Sequence, residues 1–409
     1  MAEAAAAAET MAEAVAAAET MAEAVTAAAT TLLPGLPDEI VVWEILVCLD
    51  PKSILRSRAV RRDWRCAITN RRFLLSHHAR QPALPILFSD GYRNILTFDH
   101  RADAASQLHT VARLALSQPF KLEASCDGLL ILSKPPEMAG SRALLTVCNP
   151  VTRQHASLRR TLKDFNILGM YPHCPTGKYR LLLQGRSFMD SSTDRTGWYV
   201  LELGSDEAPR YIGCSKTKLQ LAIFHAPVRV RDSLHWHPVC YAPVYGETEF
   251  FQLERKLVIV FDTIAESFRQ IRATLAPTNY SCIFEMDDML GIYSCNKAKN
   301  IVDIWVLQNY ESEIWDLKYR VQLPTAEIWG KFEGIDGDSY WYVTVVSGDG
   351  VVLLLVSFGN RLFFVDTGGE LVASFRDLHV GEHRLKQTLV PHDFFMTLEG
   401  YAVDASPFI

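Results

Sequence analysis

From residue 86 onward the chain is a long series of short apolar runs separated by turn residues: "ILTFD", "GLLIL", "ALLTVCNP", "YRLLLQG", "GWYVLEL", "KLVIVFD", "NIVDIWVL", "YWYVTVV" and "GVVLLLVSFGNRLFFVD". In the last of these, Gly359 and Asn360 stand between two apolar runs. Such a pair supplies the positive φ that a two-residue hairpin needs. No long amphipathic helix interrupts the series, so this region reads as all-β. Roughly 320 residues of hairpins, at about 40–50 residues per four-stranded unit, fit a β-propeller of about seven blades better than one sandwich of about 100 residues.

The segment before it has a different pattern. "LPDEIVVWEILVCLDP", residues 36–51, reads as a helix with Pro37 at its first position and Asp38 and Glu39 in the first turn, where the helix dipole favours acids. Asp50 then reads as the N-cap of a second helix with Pro51 at N1, and Trp64, Ile68, Phe73 and Leu74 carry apolar character into a third. "ARQPALP", residues 79–85, reads as a proline-marked linker. The expected fold is therefore α+β as separate domains: a three-helix unit over 34–78, the linker, and a propeller-like domain over 86–409. Residues 1–33 are set apart by a ten-residue unit written three times, "MAEAAAAAET", "MAEAVAAAET" and "MAEAVTAAAT". That period leaves no continuous apolar stripe on a helix, so the tail reads as low-complexity and unpacked.

The opening helix is apolar on nearly every side. Ile40, Trp43 and Val47 form one stripe, Val41, Ile45 and Cys48 a second, and Val42, Leu46 and Leu49 a third, with Glu44 as the interruption. A unit of about forty residues shields only part of this surface. The remainder must meet either the β domain or another protein.

Composition narrows the function. A net charge of −6 and a pI near 6.1 argue against a general binder of polyanions. Nine scattered cysteines without a C-x-x-C pair suit free thiols in a reducing compartment, and a cytosolic or nuclear location is expected. The longest apolar run, residues 351–356, falls far short of the ~20 residues of a membrane span. G-x-S-x-G, P-loop, G-x-G-x-x-G and H-E-x-x-H motifs are all absent, so an enzyme is unsupported and no cofactor or metal is expected. The nearest metal-like cluster is "HWHPVC", with His235 and His237 on one side of a strand and Cys240 beyond it. Half-buried strand histidines are the simpler reading, because nothing nearby offers a matching half-site. The seven arginines and one lysine between residues 52 and 72 make a basic face, better suited to solvent or an acidic protein than to nucleic acid.

Two resemblances follow from these residues. Leu36, Pro37, Asp38, Glu39 and Ile40, then Ile45, Leu46, Leu49, Pro51 and Leu55, and "AVRRDWR" ending at Trp64 and Arg65, resemble the F-box over residues 34–78. Asp50 stands where proline is usual and Arg61 where cysteine is common. In the β region, "SCDGLLIL" (125–132), "CNPVTRQ" (148–154), "DSLHWHPV" (232–239), "VIVFDTIAESFRQI" (258–271) and "VDIWVLQNY" (302–310) occur in the order seen in plant F-box-associated interaction domains. The final ninety residues carry no matching motif.

The resemblance implies the substrate-recognition subunit of a Skp–cullin–F-box ubiquitin ligase. The F-box would bind a Skp-type adaptor, and through it cullin, using Leu36, Pro37, Ile40, Ile45, Leu46, Leu49, Pro51, Leu55 and Trp64. The β domain would bind an unidentified protein target. The alternative is a propeller that binds a small ligand or metal, or acts as an enzyme, with the helical unit as a packed cap and His235, His237 and Asp262 at its mouth.

Overall fold

The computed structural model describes residues 36–89, 91, 93–101, 107–114, 120–134, 144–158, 162–185, 197–213, 226–237, 257–275, 280–330, 341–348 and 350–403. The repeat tail, Cys240 and residues 404–409 lie outside them. The chain divides into two compact units, Met1–Arg80 and Gln81–Ile409.

In the first unit the opening helix changes pitch twice. It begins as α-helix over Asp38–Ile40, widens to a π-turn over Val41–Ile45, and tightens to 3-10 over Leu46–Cys48. The second helix, Pro51–Ser57, starts as the sequence implies: the Asp50 carboxylate accepts from the Lys52 and Ser53 amides at 2.9 and 3.1 Å, with Pro51 at N1. The expected third helix is two helices, Arg62–Thr69 and Arg71–Arg80. Asn70 breaks between them, and its side chain accepts from the Arg72 amide at 2.8 Å. Segment 79–85 is not an independent linker, since helix runs to Arg80 and strand begins at Ala83.

The described residues of the second unit form six antiparallel sheets. Four are meanders in chain order, for which one example suffices: Ser281–Met286, Met289–Asn296, Ile301–Asn309 and Ile314–Gln322. Among the described residues, six hydrophobic clusters lie between the sheets, each drawing on two sheets that are neighbours around a ring. Val302 and Leu354 share one, Val147 and Leu181 a second, Ile86 and Leu130 a third. Tyr171 and Phe261 share a fourth, Val258 and Leu290 a fifth, and Leu96 and Phe364 the last, which joins the sixth sheet back to the first. The fold is therefore a closed six-bladed propeller. The expected seven came from too short a repeat: long intervening stretches, such as that between Trp236 and Leu257 within one sheet, lengthen the blades.

Closure is made by the end of the chain. His379–Lys386 joins the first blade beside Ala83–Ser89, and Glu399–Val403 adds a fifth strand to the second blade. The two sharpest β-region motifs form the ledge on which this closing segment rests. Ser125 Oγ donates to the Arg384 carbonyl at 2.7 Å, and Asn149 Nδ2 donates to the Thr388 carbonyl at 3.2 Å. The turn between Lys121–Cys126 and Leu129–Lys134 holds Asp127 at φ 48° and Gly128 at φ 87°. A Cβ at Gly128 would sit 2.6 Å from the Lys386 carbonyl oxygen, so only glycine lets the closing strand approach.

Candidate functional site

Two places hold side chains in arrangements beyond packing, one in each unit. In the helical unit, Val47, Ile54, Ile68 and Phe73 are fully buried, and Trp43 lies against Phe73 at 5.8 Å between ring centroids. Burial lowers the His77 pKa and keeps its ring neutral, and Nε2 lies 2.8 Å from the Leu49 carbonyl oxygen. With Nε2 carrying the proton, the ring donates to that carbonyl and ties the last helix to the end of the first.

The residues expected to face an adaptor divide in two. Leu36, Ile40, Ile45 and Leu55 are 44, 42, 43 and 39% exposed, and Pro37 is exposed beside them. Leu49 and Trp64 are half-buried, whereas Leu46 and Pro51 are buried inside the unit. The π-turn explains the division. Its five-residue step carries the outward face from Ile40 to Ile45, and Leu46 turns inward with Val42 and Val47. Apolar patterning places a residue on the helix but does not report the local widening that rotates it.

Charge frames the exposed row. Arg61, which replaces the common cysteine, pairs with Asp38 at 2.9 Å and links the start of the third helix to the start of the first. Arg72 lies over the Trp43 ring at 5.1 Å, and Arg65 Nε donates to the Arg58 carbonyl at 2.9 Å. Part of the basic face thus braces the unit itself.

In the propeller, the first strands of the blades and the closing strand His379–Lys386 surround a cavity of about 940 Å³. Consecutive residues line it along three of these strands, including Tyr280 to Glu285, Tyr342 to Gly348 and Val380 to Arg384, so backbone as well as side chains faces inward. Two ion pairs lie on its wall. Arg229 reaches both Asp127 oxygens at 3.0 Å, and Arg384 reaches Glu285 at 2.8 Å. Three cysteines line the wall: burial pushes the Cys126 thiol well up and those of Cys282 and Cys295 up to about 11, so all three stay protonated near neutral pH. The thiolate form is the nucleophile, and this environment suppresses it.

His235, His237 and Asp262 do not line this cavity. The first two point to one side of strand Ser233–Trp236 and its end, as the alternation implies, and Trp236 packs on the other with Phe268. His235 is engaged at both ring nitrogens, by the Val228 carbonyl and the Tyr310 hydroxyl. Burial holds the His235 and His237 pKa values down to about 4. The Asp262 carboxylate accepts from the Ile264 and Ala265 amides at 2.8 Å and closes its own turn. Among the described residues no group of three His, Cys, Asp or Glu side chains is placed to hold a metal ion, and no helix is long and apolar enough to cross a membrane.

The chain is 22% identical over 335 residues to an F-box/kelch-repeat protein of Arabidopsis thaliana, covering 74% of each. It is 25% identical over 339 residues to an F-box protein of the same plant, covering 72% of this chain and 71% of that one. Among solved structures it matches apo AztD from Citrobacter koseri at a TM-score of 0.33 and 9% identity, over 74% of this chain and 87% of that one, a likeness too slight to carry an inference. The family model described as "F-box associated beta propeller domain" matches residues 92–366, which span most of the six blades, and the chain belongs to that family.

Proposed function

We propose that this protein is the target-recognition subunit of a Skp–cullin–F-box ubiquitin ligase, with the helical unit docking a Skp-type adaptor and the propeller holding the protein to be ubiquitinated. The observation that carries the reading is the exposed row Leu36, Ile40 and Ile45 at the start of the unit, beside the buried Val42, Leu46 and Val47. Fully burying an Ile or Leu stabilises by ~1.5–3 kcal/mol, and association costs ~4–15 kcal/mol in lost freedom. Three or four such anchors therefore suffice only in a fitted pocket, which the adaptor would supply. Family membership and the F-box relatives support the same role.

Under this reading the chain performs no bond chemistry. It raises the effective concentration of a target lysine near the charged enzyme of the complex, working in cytosol or nucleus. The protonated cavity cysteines and the occupied His235 favour this over a catalytic propeller. Coexpression with a Skp-type adaptor is expected to give a one-to-one complex on gel filtration. A protein that elutes alone, with adaptor in excess, would overturn the proposal.

A further inference from the structure

The closing strand His379–Lys386 and the inner strand Trp341–Gly348 belong to neighbouring blades, and at the seam between them two polar side chains keep unmet donors. Ser347 is 4% exposed, and its hydroxyl has no partner among the described residues. Arg384 donates from Nη1 to Glu285 at 2.8 Å, but its Nε has no acceptor. Its Nη2 lies 4.0 Å from the place a Cβ on Gly348 would occupy, which sets the guanidinium beside Ser347. Buried polar groups are satisfied as a rule, so two orphans on one wall call for an acceptor that the chain does not supply. Burial also pulls the Arg384 pKa down, because one facing carboxylate does not make up for the lost water. The side chain is still 25% exposed and lines the central cavity, so it can be reached from there.

Both residues also line a recess of about 20 Å³, which has Pro82, His100 and Arg101 on its other walls. That is space for about one water-sized group. No carboxylate among the described residues lines it, and Arg101 is closed on Asp99 by two bonds of 2.8 Å. Ala83, Pro85, Ser347, Gly348 and Arg384 belong to the recess and to the 940 Å³ cavity alike. A side chain lying in the large cavity can therefore place its tip in the small one.

We infer that the Arg384 guanidinium and the Ser347 hydroxyl receive a carboxylate of the recruited protein, from an Asp or Glu side chain or a chain terminus that enters through the central cavity. The inference rests on the reading of the propeller as the recognition domain. Chemistry selects the class: both orphans can donate, and a guanidinium edge matches the paired oxygens of a carboxylate. The wider cavity does not select by net charge, since cations and acids line it five against five. Glu285 is met by Arg384 and the Asp288 amide, Asp127 by Arg229, and Glu382 by the Ala226 amide. The exposed Asp287 and Asp288 oppose an incoming acid, and Arg231 and Lys386 on the same cavity match them in number. Selectivity is therefore local to the seam.

The test uses the full chain with its adaptor and three probes, followed by saturation-transfer NMR and calorimetry: doubly capped glutamate, its glutamine isostere, and N-acetylglycine for a terminal carboxylate. At least one carboxylate probe should bind, and glutamine should bind at least about tenfold more weakly. Ser347→Ala should weaken the carboxylate about three- to tenfold, and Arg384→Gln more than that. A preference for glutamate assigns a side chain and a preference for N-acetylglycine a terminus, and either supports the inference. Equal binding of glutamine, no binding of any probe, or unchanged carboxylate affinity in Ser347→Ala whose thermal transition matches wild type overturns it. If Arg384→Gln does not fold, the Ser347→Ala result decides alone. Should the adaptor fail to copurify, the docking reading falls, and the same probes applied to the chain by itself then support or overturn the carboxylate site by the same criteria.

Discussion

Ile45 and Leu46 are adjacent and equally apolar, yet one faces solvent and the other is 3% exposed. Leu46→Ala should therefore destabilise the helical unit by about 2–5 kcal/mol through the cavity it leaves, whereas Ile45→Ala should change stability by less than about 0.5 kcal/mol. Denaturant unfolding followed by circular dichroism would separate the two. Asp50 makes a second residue-scale case. Burial raises its pKa, but hydrogen bonds from Ser53 and Lys52 outweigh burial and leave it below the ordinary 3.8. A carboxyl lowered in the fold stabilises above its unfolded pKa, and that contribution is lost as pH falls below 3.8. Asp50→Ala should cost about 1 kcal/mol at neutral pH, with the deficit shrinking in acid, as melts from pH 7 to pH 3 would show. The cap was legible in the sequence because Asp-Pro has one local meaning at a helix start. The side on which Leu46 lies was not, because the π-turn that rotates it leaves no trace in apolar spacing.

Among the strands, those readable from sequence are the middle ones of each blade, buried on both faces. Leu129–Lys134, Leu257–Asp262 and Val351–Phe358 are continuous apolar runs for this reason. Outer strands such as Ile314–Gln322 and Leu371–Arg376 alternate with polar residues on an exposed face and carry little signal. Gly359 and Asn360 form the expected two-residue loop, with Phe358 opposite Arg361 and Gly359 at φ 56°. A second such loop, Asp287 and Asp288 at φ 51° and 59°, is hidden in the sequence because it lacks glycine. The turn at Gly128 does more than reverse the chain. Gly128→Ala forces a Cβ against the Lys386 carbonyl at a positive φ and should cost more than about 1 kcal/mol, read as a lowered melting temperature of the propeller. An unchanged melt would show that the closing strand does not depend on this approach.

The ring as a whole was half legible. Repeated hairpins announce a propeller, but the number of blades depends on loop lengths that carry no pattern, and the motif-free final ninety residues supply the strand that closes the circle. Buried histidines give the propeller a pH dependence of its own, with His235, His237 and His383 all held down to about 4 by burial. Burial lowers His235 and His237 to about 4 from 6.5, so the unfolded chain binds more protons between those values and stability falls as pH drops through that window. The slope is up to about 1.4 kcal/mol per pH unit for each ring. Melting temperatures between pH 7 and pH 5 should decline, and the double variant His235→Gln/His237→Gln should flatten that decline even if it is less stable overall.

Adaptor docking through the exposed row on the first helix is tested most directly by Ile45→Asp. Wild-type and variant chains are coexpressed with a Skp-type adaptor, and the adaptor retained per chain is measured alongside the propeller's thermal transition. Complete or near-complete loss of adaptor with an unchanged transition is the predicted result. Retention of adaptor at the wild-type ratio by Ile45→Asp would contradict the account.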